Sequence, residues 1–320
     1  WDNSEHNMFL NSAAIAKYKI TGASVKGIIG VGVDQSGNPN GQFLGVDASE
    51  YISGVAGKDM FAPARIGRAM LYSNDLAQQH GITTTSDMAF GTINIALETA
   101  AMKEITSSKA SSLRIVPVAM AENFIAKYGD QGLEQVKALQ NMNTDRLMFH
   151  GVKFIGDDAY LANTMKVENP GYTDGHQGII FYKSPQDFYK ALKPWWDANF
   201  QIHVHSNGTG GNQNTLNALQ LLQDSKPRFD HRFTLQLFGL PTTAMVMKMK
   251  ALGAVASVNP AYFYTRAGVQ AKDLGNDRIS YATRVGYLNR EGVVVSLHSD
   301  NPVAPPMPLT LSLIHISEPT

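Results

Sequence analysis

The sequence contains no cysteine, no long apolar run and no net charge, and each absence excludes a class of protein. Without cysteine there are no disulfide bonds, thiolate metal sites or cysteine nucleophiles. The 27 basic and 27 acidic residues cancel, so no global positive field attracts nucleic acid or an anionic membrane. No apolar run approaches the roughly 18 residues that a membrane span needs. We therefore predict a soluble protein without nucleic-acid or membrane partners, and the sequence does not distinguish cytoplasm from periplasm.

What the sequence does contain is enough apolar material for a large core. Of its 320 residues, 43% are hydrophobic and 17% are charged, a composition that excludes disorder. This length allows two domains or one large α/β barrel.

The two ends of the sequence look unlike the ends of a natural protein. The opening segment, which starts at Trp1, resembles the middle of a domain, and any signal peptide would lie upstream. The last ten residues, 311–320, resemble the translation of a sequencing adapter. We therefore expect a fragment that carries a non-native tail at 311–320.

Short β-branched runs alternate with helix-length stretches over about 220 residues, which predicts parallel strands joined by right-handed crossovers. The predicted strands are 82–86, 113–120, 148–155, 200–205, 229–238, 254–259 and 293–298. The predicted helices between them are 93–107, 132–140, 185–198, 212–223, 242–252 and 279–290. Seven strand–helix units are one short of a closed eightfold barrel. An open doubly wound sheet is the rival fold, but no G-x-G-x-x-G follows any of these strands.

The predicted fold is therefore an α/β barrel of the TIM type that lacks its first strand and an accompanying β-sandwich domain. Residues 1–75 are predicted to be an irregular insertion before barrel strand two, with a short helix at 11–17 and a hairpin or loop at 32–41, where turn formers cluster. Residues 76–310 form the barrel. No linker indicates a second domain inside the chain.

Polar side chains occur where four of the predicted strands would end. Lys153 lies in an apolar strand, His203 and His205 end the next, His231 belongs to the strand after that, and Asp300 follows the last. In a parallel barrel these ends meet at one face, and imidazole and carboxylate are good ligands for a divalent metal of the zinc class.

Each of these residues also has an ordinary structural interpretation. A single strand histidine is more often a hydrogen-bonded core residue, and a single strand lysine is more often ion-paired, here with Asp157 or Asp158. Asp300 alone could cap a loop. Taken together at successive strand ends, the residues favour a metal site, in which Lys153 either pairs with an acid or reacts with carbon dioxide to become a bridging ligand.

The triplet His203-Val204-His205 places both imidazoles on one face of a strand. An H-x-H pair opens the first strand of amidohydrolase barrels, but then a lysine strand and two histidine strands should follow, and they do not. The order Lys, His, His, Asp instead fits strands four, five, six and eight. This order makes His205 the expected ligand and places His203 one pleat deeper.

Several ordered motifs give the chain a resemblance to the metal-dependent amidohydrolases of the amidohydrolase family 3 type, which includes proteins like N-substituted formamide deformylase. The similar segments are Asn11–Ile15 (N-S-x-A-L), Gly37–Leu44 (G-x-x-x-G-x-L), Gly81–Thr84 (G-I-T), Gly151–Phe154 (G-V-K), His205–Gly208 (H-A-x-G), Arg228–His231 (R-x-E-H) and Ser299–Val303 with Pro308–Leu309 (S-D-x-P). Thr209 departs from the family's Asp, and Asp230-His231 replaces its Glu-His pair.

The resemblance implies hydrolysis of a C–N bond in an amide, formamide or cyclic amide by a metal-activated hydroxide. It implies that Asp300 moves the proton and borders the metal, that His205 and His231 are ligands, and that Lys153 is a carboxylated bridge between one or two divalent ions, with zinc the expected metal. His298, His203 and Asp230 are expected to contact the substrate or the metal ligands. The alternatives are a mononuclear amidohydrolase with an uncarboxylated Lys153 and a barrel that only binds a small ligand. A homo-oligomer is compatible with the sequence.

Overall fold

The computed structural model describes residues 2, 6–109 and 111–317. Its chain divides into two compact units, Trp1–Ala69 and Met70–Thr320. Within the described residues, no helix is both long and apolar enough to cross a bilayer.

The first unit is built around a small antiparallel sheet. Its elements are β1 (Asn7–Phe9), α1 (Ser12–Lys17), β2 (Val31–Val33), β3 (Pro39–Leu44) and α2 (Val46–Met60), with sheet order β1-β3-β2. The predicted short helix is confirmed, and the side chain of Asn11 caps it by accepting a hydrogen bond from the Ala14 amide. The predicted hairpin is confirmed as well, because β2 and β3 pair across the turn in which Asp34 accepts from the Ser36 and Asn38 amides.

The structure differs here from the irregular insertion expected at 1–75. The unit ends at Ala69, and it has its own apolar cluster, which includes Met8, Ile20, Phe43 and Ile52. Strands of three to six residues are too short to show a clear period in the sequence, so the alternation did not reveal them.

The second unit alternates strands with helices. After α3 (Pro63–Gln79), which enters it from the first unit, its elements are β4 (Thr84–Phe90), α4 (Ile95–Ser107), β5 (Arg114–Met120), α5 (Ala121–Tyr128), α6 (Gly132–Leu139), β6 (Gly151–Ile155), α7 (Pro185–Asp197), β7 (Gln201–Ser206), α8 (Thr209–Ser225), β8 (Thr234–Leu237), α9 (Thr243–Leu252), β9 (Val255–Val258), α10 (Ala261–Leu274), α11 (Asn276–Ile279), α12 (Val285–Glu291), β10 (Val294–Leu297) and α13 (Pro308–Ser317). The predicted tail thus includes most of α13, while 318–320 lie outside the described residues.

The seven predicted strands are confirmed as one parallel sheet, with order β10-β9-β8-β7-β6-β5-β4. Each strand pairs with the next one in sequence, so the segment between two strands, which contains at least one helix, connects parallel neighbours. The helices begin at recognisable signals. In α7, for example, Ser184 accepts from the Asp187 amide and Pro185 occupies the first turn.

The two faces of this sheet differ in chemistry. One face packs under the helices in the main hydrophobic core, to which the central strands contribute Val152, Phe154, Ile202, Val204, Leu235, Ala256 and Val258. The alternate positions form the opposite face, called the polar face below. They include Lys153, Ile155, His203, His205, Thr234, Gln236, Val255, Ser257, Val294 and Ser296. Parallel strands are usually apolar on both faces, so a polar face indicates a place for chemistry rather than for packing.

The sheet curls around its polar face. The Gln236 side-chain amide on β8 lies 3.9 Å from the sulfur of Met88 on β4, although four strand spacings in a flat sheet would separate them by about 19 Å. The second unit is therefore a seven-stranded half-barrel of the TIM type, and its polar face is concave.

Candidate functional site

The polar side chains of the polar face lie at two successive positions along the strands. Lys153 and His203 are register partners on neighbouring strands, and one level nearer the carboxyl ends His205 pairs with Gln236. His203 and His205 are both buried. The structure therefore brings Lys153, His203 and His205 to the same face, as the sequence predicted.

Lys153 lies among acidic groups that the sequence analysis did not consider. Burial raises the pKa values of Asp87 on β4 and of Glu122 at the start of α5, and the positive charge of Lys153 partly offsets both increases. Glu122 Oε1 accepts from the Ile155 amide at 3.2 Å and from the Tyr182 hydroxyl at 2.9 Å. The positive charge of Lys153 thus acts on two buried carboxyl groups, those of Asp87 and Glu122.

Asp157, which the sequence offered as an ion-pair partner of Lys153, has a different function. Its fully buried carboxyl accepts from the backbone amides of Asn207 at 2.7 Å, Gly208 at 2.8 Å and Lys166 at 3.0 Å. Burial raises its pKa to about 8, against the opposing effect of these three donors. Asp157 therefore fixes the turn that follows β7.

His203 is held as a neutral imidazole. The Gln236 side-chain amide donates to His203 Nδ1 at 2.9 Å, which leaves the proton on Nε2. Burial, aided by the charge of Lys153, lowers the pKa of His203 to about 3. The ring borders a cavity of about 190 Å³ on the polar face. This cavity lies between the amino-terminal halves of β4 and β7.

His205 lies at the carboxyl end of β7, and its ring meets polar groups there. The Asn207 side-chain amide lies 2.9 Å from His205 Nε2, and the Asp158 carbonyl lies 3.4 Å from the same atom. Asn207 also donates to that carbonyl at 3.2 Å. A ligand that binds His205 Nε2 would have to displace the Asn207 amide.

His298 and Asp300 follow the last strand. The His298 amide donates to the Val258 carbonyl, and His298 Nε2 is buried without a hydrogen-bond partner in the described residues. Burial lowers the pKa of His298, the charge of Asp300 raises it, and the charge of Lys153 lowers it. Asp300 has a φ of 53°, a conformation that costs energy for a side-chain-bearing residue and often occurs at functional positions.

The structure does not bring His231 to this group. Strand β8 starts at Thr234, which pairs with His203, so His231 precedes the strand by three residues at its amino end. Its Nδ1 accepts from the Phe233 amide, and its Nε2–H donates to the Leu252 carbonyl, both at 2.9 Å. The motif match at 228–231 assigned the histidine to a strand that begins later than predicted.

Asp230, the other candidate in that motif, is also away from the polar face. It is exposed at the surface and paired with Arg232 at 2.9 Å, which lowers the pKa of Asp230. The end of β8 is occupied by Gln236, Leu237 and Phe238, of which the last two are buried in hydrophobic clusters. No histidine of the described residues reaches the carboxyl end from β8.

Replacing His231 with alanine should therefore affect stability rather than metal binding. The variant leaves the buried Phe233 amide and Leu252 carbonyl without their partner, which costs about 1–3 kcal/mol of unfolding free energy. Denaturant-induced unfolding and metal analysis of the same preparations measure both effects. Loss of metal at unchanged stability would restore His231 as a ligand.

The donor chemistry on the polar face suits a divalent ion, although the described residues do not complete a site. Imidazole nitrogen and carboxylate oxygen are the donors that ions of the zinc class prefer, and His298 Nε2 and Glu122 Oε2 are buried polar atoms without hydrogen-bond partners there. Within 6–109 and 111–317, however, no three His, Asp or Glu side chains lie close enough to hold an ion together. At least one further donor is needed.

Sequence reasoning missed Asp87, Glu122, Gln236 and Asn207. Two of them had a usable signal, because Asp87 is a charged residue inside β4 and Glu122 is the second residue after the end of β5. The sequence contained no such signal for Gln236 and Asn207. Their role comes from the histidine rings that their amides contact, and the sequence does not show these contacts.

Comparison with known proteins identifies the family. The sequence profile described as "Amidohydrolase family" matches residues 3–312. The chain belongs to the amidohydrolase family. No curated protein sequence matches it.

Solved structures agree with an amidohydrolase fold. An uncharacterized metal-dependent hydrolase from Pyrococcus furiosus superposes with a TM-score of 0.70 at 13% identity, over 97% of this chain and 59% of its own. A second one from Pyrococcus horikoshii OT3 gives a TM-score of 0.70 at 13% identity, over 98% and 58%. This amidohydrolase chain thus spans less than two thirds of the length of either structure, and at such identities the likeness concerns the fold alone.

Proposed function

We propose that the full-length protein hydrolyses a C–N bond of an amide, formamide or cyclic amide with the help of a divalent metal ion, for which zinc is the first candidate. The observation that carries this proposal is the concave polar face of an amidohydrolase sheet, which carries Lys153 on β6 and His205 near the carboxyl end of β7, while His298 and Asp300 follow the carboxyl end of β10. In barrels of this kind, catalytic groups collect at that end.

Different residues of this chain would bind the metal ion and transfer the proton. A divalent ion supplies Lewis acidity and lowers the pKa of water. Asp300 would accept the proton of the attacking water and return it to the leaving nitrogen, because a carboxylate at a strand end can serve as base and then as acid. His205 offers an imidazole to the ion, and Lys153 is either a carboxylated bridging ligand or a cation paired with Asp87 and Glu122.

The surroundings of Lys153 favour the ion-paired cation as the alternative to the carboxylated bridge. An uncarboxylated Lys153 would leave a mononuclear amidohydrolase, and the two nearby carboxyl groups give that cation counter-ions. A barrel that only binds a small ligand is the remaining candidate from another class. Metal analysis together with a screen of amide substrates on the full-length protein separates all three.

The 320-residue chain by itself should be a poor catalyst. Its described residues do not bring three metal ligands together, and its edge strands β4 and β10 have exposed positions, which favours association through unpaired backbone groups. The chain and the full-length protein should be compared for bound metal, amide turnover and light scattering. Equal metal occupancy and turnover in both would show that the chain holds a complete site.

A further inference from the structure

We infer that the protonated imidazole of His176 is a pH-dependent clamp that holds residues 163–179, called the strap below, at the carboxyl end of the half-barrel. The strap belongs to the connection between β6 and α7. The inference goes beyond the proposed function, and its tests need neither metal nor substrate.

The strap is a loop whose two arms bind each other. The Val167 amide donates to the Gln177 carbonyl at 2.9 Å, and the Ile179 amide donates to the Thr164 carbonyl at 2.8 Å. Residues 168–176 form the turn between the arms. A contact that joins an arm to this turn therefore closes the loop.

The strap packs at the carboxyl end of β8. Its Tyr172 is buried in an apolar cluster with Leu237, the last residue of β8, and with Leu240. In barrels of this kind, the segments that follow the carboxyl ends of the strands border the active site. Opening of the strap would therefore change the surroundings of that end.

His176 joins one arm of the strap to the turn through both of its ring nitrogens. Nδ1 lies 2.6 Å from an oxygen of the Asp174 carboxylate, and Nε2 lies 2.9 Å from the carbonyl oxygen of Asn163. Both partners are hydrogen-bond acceptors, whereas a neutral imidazole has only one N–H to donate. The protonated ring is the form that satisfies both contacts.

The ring of Tyr172 favours the same protonated form. It stacks on the His176 ring with the centroids 4.1 Å apart and an angle of 5° between the planes. The face of an aromatic ring attracts a cation. Because Tyr172 is buried, this contact ties the protonated ring to a fixed part of the strap.

The acidic groups around His176 come from the strap and from α10. Asp174 lies in the strap, and Asp273 on α10 accepts a hydrogen bond of 2.8 Å from the Asn163 side chain. Burial lowers the pKa of His176. The Asn163 carbonyl and these two carboxylates outweigh burial and raise that pKa above its ordinary value.

The other charged residues in and beside the strap make different contacts. Lys166 Nζ donates to a glutamine side chain of the strap, Arg278 on α11 donates to two strap carbonyls, one of them that of Glu168, and Lys272 on α10 offers its backbone carbonyl. Histidine is the side chain whose ordinary pKa lies in the neutral range, and His176 is the only histidine in the strap.

The clamp should weaken as the pH rises. A raised pKa of His176 in the closed strap means that the closed form binds the proton more tightly than the open form. The stabilisation is fully present below the ordinary pKa of histidine, about 6.5, and is lost as the pH rises through the raised value. Its acidic limit is protonation of Asp174, whose pKa is lowered by the hydrogen bonds from His176.

Hydrogen–deuterium exchange of the folded protein tests the clamp at about pH 5.5 and about pH 8.5, on either side of the range in which histidine titrates. After correction for the intrinsic effect of pH, protection of the strap amides should fall about two- to fivefold between these conditions, as expected for one partly exposed ion pair. Protection of β6 and β7 should stay the same, which shows that the fold is intact.

Three variants assign the effect to this cluster. His176→Gln removes the titrating group, so its strap should have the lower protection under both conditions. Asp174→Asn keeps the size of the side chain and removes its charge, which should move the pH dependence to lower pH. His150→Gln, at an exposed histidine outside the strap, is the matched control and should behave like the parent.

An NMR titration of the His176 ring in the parent is the second measurement, and it requires no variant to fold. The ring should titrate above the ordinary value of about 6.5. A value at or below the ordinary one overturns the inference, as does parental strap protection that is independent of pH. An undiminished pH dependence in His176→Gln also overturns it, because another group would then be the cause.

Discussion

Replacing Asp300 with asparagine is expected to lower amide turnover by the full-length protein about a thousandfold or more, equivalent to ~4 kcal/mol of transition-state stabilisation. The reason is chemical, because an amide side chain of the same size cannot accept the proton of the attacking water. Bound metal should fall much less than turnover, since the amide oxygen can still act as a donor. Steady-state kinetics and metal analysis on one preparation measure both quantities.

A matched carboxylate elsewhere provides the control for this prediction. Asp230→Asn makes the same change at an exposed residue that is paired with Arg232 at the surface, and its turnover should equal that of the parent. Residual activity above about a tenth in Asp300→Asn, less than 1.4 kcal/mol, would require another base. Glu122 would then be the first residue to examine, since burial raises the pKa of its carboxyl.

The conformation of Asp300 bears on the same prediction. Its φ of 53° is unusual for a residue with a side chain, and its carbonyl accepts from the Val303 amide in the tight turn that follows β10. Asparagine tolerates this left-handed conformation as well as aspartate does. A loss of activity in Asp300→Asn would therefore reflect chemistry rather than a disturbed turn.

The strand order of the half-barrel could be predicted because the same alternation of apolar runs and helix-length stretches recurs along the chain. Each strand contributes a short apolar, β-branched run to one core, and the helix-length stretches between the runs leave a parallel sheet as the natural solution. The short strands of the first unit lacked such repetition. They form because Phe43 and Ile52 are buried in a local cluster, a relation between distant residues that a periodicity cannot show.

The position of a candidate residue in the sheet could be predicted where the residue lies inside a strand, and it was wrong where the strand boundary mattered. Lys153, His203 and His205 alternate within β6 and β7, so their common face followed from the period of two. His231 lies only three residues before β8, and that difference moves it to the opposite end of the sheet. The sequence had no means to show that both of its ring nitrogens are already bound to backbone groups.

The charged groups around Lys153 could not be predicted from the sequence either. Asp87 belongs to β4 and Glu122 to the first turn of α5, and the parallel pairing of β4, β5 and β6 brings these elements next to the strand of Lys153. The sequence predicted Asp157 or Asp158 as the ion-pair partner of Lys153, because both are close to it along the chain. In the structure, the Asp157 carboxyl accepts from two backbone amides in the turn after β7, those of Asn207 and Gly208, and from the Lys166 amide in the segment between β6 and α7.

Replacing Lys153 with alanine is expected to abolish amide hydrolysis in either of its two proposed states, since the variant lacks the bridging ligand of one state and the positive charge of the other. The two states differ in what restores activity. If Lys153 is a carboxylated bridge, short carboxylic acids added with the metal should partly rescue Lys153→Ala, because a free carboxylate can occupy the position of the missing bridge. If it is a cation between Asp87 and Glu122, the acids should have no effect, because a further negative charge cannot replace a positive one.

A second variant separates these states without relying on rescue. Lys153→Arg keeps the positive charge near Asp87 and Glu122, and a guanidinium does not form the carboxylated ligand. Substantial activity in Lys153→Arg, with no rescue of Lys153→Ala, would assign the ion-paired state and a mononuclear site. An inactive Lys153→Arg together with acid-dependent recovery of Lys153→Ala would assign the bridge, whereas full activity in Lys153→Ala would remove this residue from the site altogether.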